Sequence, residues 1–62
     1  MATVREKIQA CIDDAIELNT SGLRYITKEQ INEAIGQEIF IAVHKGEITN
    51  EEGDELYLEY AV

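Results

Sequence analysis

The sequence predicts an all-α fold: a small three-helix bundle built from an antiparallel helical hairpin and a short third helix. Three observations carry this reading. The capping-box pattern recurs three times, as "TVRE" (Thr3 to Glu6), "TKEQ" (Thr27 to Gln30) and "TNEE" (Thr49 to Glu52). In that pattern the threonine hydroxyl accepts from the backbone N–H three residues on, and the Glu or Gln side chain reaches back to the threonine N–H. Two glycines stand where helices should stop, Gly22 in "SGL" and Gly46 in "HKGEI". Proline is absent, so nothing in between forbids a helix.

The first cap opens a helix over roughly residues 4–20. Val4, Ile8, Cys11, Ile12, Ala15, Ile16 and Leu18 share one side of it at the 3.6-residue period, and Glu6, Asp13 and Glu17 take the other. The second helix spans about 28–45. Ile26, just before its cap, is placed to staple to Ile31. Ile31, Ala34, Ile35, Ile39, Ile41, Ala42 and Val43 cover more than half of its circumference, which predicts burial on more than one side. This helix therefore lies between the other two, or its last turns meet another molecule. Phe40 points away from that face, towards Glu29, Glu33 and Gln37. Gly36, one turn before Phe40, either admits a neighbouring helix or leaves a notch beside the ring.

The third helix runs over roughly 50–60. Leu56 and Tyr60 form its apolar stripe, with Leu58 out of line among Glu51, Asp54 and Glu55. The alternative for the C-terminal half is an α+β arrangement, pairing "IFIAV" with "ELYLEYAV" as a hairpin of β-prone, alternating residues. The cap at Thr27 and the stop at Gly46 oppose it.

"HKGEITNEEGDEL" also invites comparison with a calcium-binding EF-hand loop. Gly46, Ile48 and Glu52 match its sixth, eighth and twelfth positions. Positions one, three and five are then Ile41, Val43 and Lys45, which offer no carboxylate to a cation that needs several. A helix stop, a short turn and a capping box account for every residue of the stretch except Gly53.

At 62 residues the chain is expected to be one helical domain, 1–62, with a small core. The single cysteine excludes an internal disulfide, and one histidine with one cysteine cannot furnish the usual ligand set of a structural zinc site. No metal, cofactor or membrane association is expected. Thirteen acidic residues against five basic ones leave a net charge of −8. The imbalance is local: residues 46–62 hold six acids and no base. This is the wrong sign for direct binding to nucleic acid or to an anionic membrane. The first ten residues lack the apolar core of a signal peptide, so the expected location is the cytoplasm, or the host cytoplasm if the protein is viral.

No catalytic residue is assigned. Cys11 with His44 is the one nucleophile–base combination, and hairpin geometry separates them by about 10 Å, whereas a dyad needs contact. Glu38, on the apolar side of helix 2, is expected to pair with Arg5, Lys7 or Arg24.

Two non-enzymatic roles follow. The first is an acidic module that docks on a basic surface of a partner protein through Glu51, Glu52, Asp54, Glu55 and Glu59. A rigid carboxylate row of this kind suits an inhibitor or nucleic-acid mimic of viral type. The second is a self-associating assembly or regulatory module, a homodimer that uses Phe40, Ile41, Leu58 and Tyr60, apolar groups that a short chain cannot all hide.

Overall fold

A computed structural model describes residues 2–62. Three helices follow in order: α1 (Val4–Ser21), α2 (Lys28–His44) and α3 (Asn50–Tyr60). No strand occurs among the described residues, so "IFIAV" and most of "ELYLEYAV" are helical and the hairpin alternative falls.

All three capping boxes form. Thr3, Thr27 and Thr49 each accept from the N–H three residues on, at 3.2, 3.1 and 3.1 Å. Glu6, Gln30 and Glu52 return the bond to the cap N–H. Each box satisfies two donors that a helix start would otherwise leave open. At the end of α2 the chain turns at Gly46, whose φ of +79° suits glycine alone at low cost. The Gly46 N–H bonds to the Val43 carbonyl at 3.0 Å and the Glu47 N–H to the Ala42 carbonyl at 2.9 Å, the paired bonds of a Schellman stop.

α2 packs against both α1 and α3 and runs antiparallel to each, so the middle position anticipated for an all-round apolar helix is the one it takes. The core is Val4, Ile8, Ile35, Ile39, Ala42 and Leu56, with Ile12, Ile31, Val43, Ile48 and Tyr60 packed around it. Ile8 and Ile35 have no exposure. Burial of such a side chain contributes about 1.5–3 kcal/mol.

Gly53, which the turn and cap left unexplained, is where α3 crosses α2. A Cβ there would lie 2.8 Å from Ile39 Cγ2 and 3.4 Å from Val43 Cγ2. Only the bare backbone allows the approach.

Two asparagines fasten the segments outside the helices. Asn19 donates to the Ile26 carbonyl at 3.0 Å and accepts from the Ile26 N–H at 2.6 Å, pinning the α1–α2 loop. Asn32 does the same to Val62, at 3.1 and 2.8 Å, tying the segment after α3 to α2.

Ile16 departs from the apolar face that its period predicts on α1, and is 55% exposed. α1 has 18 residues and α3 has 11, so at 1.5 Å per residue α3 is about 10 Å too short to run beside all of α1.

Candidate functional site

The acidic residues of α3 divide by what they touch. Glu52 is committed to the cap of its own helix, its Oε1 accepting from the Thr49 N–H at 3.1 Å. Glu59 Oε2 accepts from Arg5 Nη1 at 2.7 Å, forming the only ion pair among the described residues. The Arg5 guanidinium also donates to the Tyr60 hydroxyl at 3.3 Å and lies 5.8 Å from the centre of the Tyr60 ring. The Tyr60 hydrogen bond first, and then Glu59, push the Arg5 pKa up. Glu59 is therefore relieved by a base far away in sequence, and Tyr60 is turned inward, half-buried and packed on the core. Tyr60 is a poor candidate for self-association for that reason.

Glu51, Asp54 and Glu55 have no side-chain partner among the described contacts, and all three are exposed. They precede Leu58 by seven, four and three residues, the spacings that stack side chains on one helix face. Leu58 is 82% exposed. The outward face of α3 is thus an apolar knob on a ridge of carboxylates. Glu51 and Glu52, in the first turn, also sit at the positive end of the helix dipole, which steadies them there.

A second face lies on α2. Phe40 is 71% exposed and stacks on His44, with ring centres 6.2 Å apart and planes 12° from parallel. Beside it a groove of about 510 Å³ runs over Gly36, walled by Phe40, Ile41 and Tyr57. Both readings of Gly36 hold in part. Tyr57 of α3 approaches it, yet a Cβ added at Gly36 would stand 4.0 Å from the Tyr57 ring with nothing nearer, so a notch remains open.

Glu38 does not pair with Arg5, Lys7 or Arg24. It is half-buried without an ion pair, and of the three bases Arg5 is taken by Glu59 of α3. The Cys11 thiol is pushed up in pKa by burial first and by the charges of Glu38 and Asp14 second. Cys11 lines a cleft between α1 and α2, whereas His44 stacks on Phe40 on the outward side of α2. The core holds no buried polar or charged side chain among the described residues. No helix of the described residues is long and apolar enough to cross a membrane.

The carboxylates, Phe40, Ile41 and Leu58 are legible in the sequence. Tyr57 as the wall of the groove and Arg5 as the partner of Glu59 are not, since neither contact has a signature within its own helix. Compared with family models, curated proteins and solved structures, the chain matches none.

Proposed function

We propose that the chain is a binding protein that acts by docking the outward face of α3 on a basic surface of a partner protein, and not by catalysis. The observation that carries this is Leu58, almost fully exposed amid Glu51, Asp54 and Glu55 on a helix with no base of its own. An apolar anchor ringed by unpaired carboxylates fits an apolar socket rimmed by Lys and Arg. The ring speeds and orients encounter, and the anchor slows release. The basic surfaces that proteins keep open are often those that hold phosphate, so an inhibitor or mimic of nucleic acid is the form this role takes. Against a catalytic role stand the raised thiol of Cys11, which disfavours the thiolate nucleophile, and its separation from His44.

The test uses a partner recovered from lysate of the source cell on the immobilised chain. Its binding kinetics are then followed for the native chain, for the triple variant Glu51→Gln/Asp54→Asn/Glu55→Gln and for Leu58→Ser. The triple variant should slow association by about tenfold or more and flatten its salt dependence. Leu58→Ser should speed dissociation and leave association unchanged. None of these four side chains caps a helix or bridges to another, so helicity should persist. Unchanged kinetics in both variants would refute the reading.

A further inference from the structure

We propose that the outward face of α2 is a two-fold self-association seam, in which Phe40 of each copy enters the notch over Gly36 of a second, antiparallel copy. The proposal is independent of the α3 ridge.

The seam consists of Glu29, Glu33, Gly36, Gln37, Phe40 and His44, at steps of three and four residues that keep them on one side of the helix. All are exposed except Gly36, which is partly covered by Tyr57. A knob and a hole thus lie one turn apart on a single face: the Phe40 ring and the groove of about 510 Å³ over Gly36. A two-fold axis at the level of Glu38 sets each Phe40 over the other copy's Gly36, so one patch serves twice and the pair closes.

Two further observations name a second copy as the occupant. Glycine is among the poorest formers of helix interiors, and the contacts around Gly36 within one chain do not require it, because its Cβ position is open. A ring docking from outside does require it. The charges also match. The acids of the seam, Glu29 and Glu33, lie in the N-terminal half of α2, and His44 with the adjoining Lys45 lies at its C-terminal end. Antiparallel pairing in this register brings Glu33 beside His44 of the second copy, twice. Little of the net charge of −8 lies on α2 itself, since Lys28–Lys45 holds three of the acids and two of the lysines.

Sedimentation equilibrium of the intact chain at micromolar concentration should return twice the 7.0 kDa of one copy. Phe40→Glu, which removes the knob, and Gly36→Leu, which fills the hole, should each weaken association by about tenfold or more, with the helical circular dichroism retained. Glu33→Lys alone and His44→Glu alone should each associate more weakly than the native chain. Mixed together they should form a heterodimer, because the introduced lysine and the introduced glutamate then face each other on one side of the axis. A native chain that stays at 7.0 kDa throughout would overturn the proposal. So would a Gly36→Leu chain that associates as tightly as the native one, or a mixture that associates no better than its components.

Discussion

Gly36 and Gly53 are both glycines inside helices, and their surroundings are opposite. Gly53 is buried where α3 crosses α2, and a single added carbon would stand 2.8 Å from Ile39. Gly36 lies about two turns of α2 before Val43, near Tyr57, where an added carbon would make one ordinary contact at 4.0 Å. The first glycine is required by the fold of one chain. The second is not, and only the proposed seam gives it a use. Helix propensity penalises the two positions alike, so what separates them is the distance to the neighbouring helix.

The largest expected effect tests the closed side of this comparison. Gly53→Ala should destabilise the domain by about 1–3 kcal/mol, as overpacking of a filled core does. Urea unfolding measures it. The cost should shrink when Ile39→Ala is combined with it, since the clashing methyl is then gone. An additive pair would show that the crossing at Gly53 is looser than 2.8 Å implies.

Next comes the cap that starts the crossing helix. Thr49→Ala should cost about 1 kcal/mol and lower the thermal midpoint, because the Glu52 N–H loses its acceptor. A loss no greater than that of an exposed Thr→Ala change elsewhere would mean that packing at Gly53 alone holds α3 in place.

The open side should respond with the other sign. In dilute solution Gly36→Ala should raise stability by up to about 1 kcal/mol, the gain in helix propensity with nothing to clash. At concentrations where copies pair, the same change should lower self-affinity. A loss of stability in the dilute chain would erase the distinction between the two glycines.

The smallest effect is expected from Arg5→Met. Arg5, Glu59 and their bond are exposed, and such pairs contribute little. The melting temperature should stay nearly unchanged, while the carboxylate of Glu59 is freed to join the α3 ridge. A faster association with a basic partner in this variant would show that Arg5 restrains the ridge.

The parts of the molecule that the sequence by itself determined are those decided within a few residues. Three capping boxes, the stop at Gly46 and the apolar period of α1 and α2 each depend on groups three to five positions apart, which chain connectivity already holds together. The helix boundaries could therefore be read to within a residue or so, and the all-round apolar face of α2 implied its central place. The outward positions of Phe40 and Leu58 also followed, because a helix face is set by angle alone. What only the tertiary structure decided depends on how closely separate segments approach. Gly53 is explained by a side chain of α2, Glu59 by an arginine of α1, and Val62 by an asparagine 30 residues earlier. Ile16 is exposed because α3 is too short to reach it, and Arg5, one of the bases expected to meet Glu38, is held by a different helix. Periodicity specifies the direction in which a side chain points, but the partner it meets depends on the lengths and crossings of the helices, which no local pattern encodes.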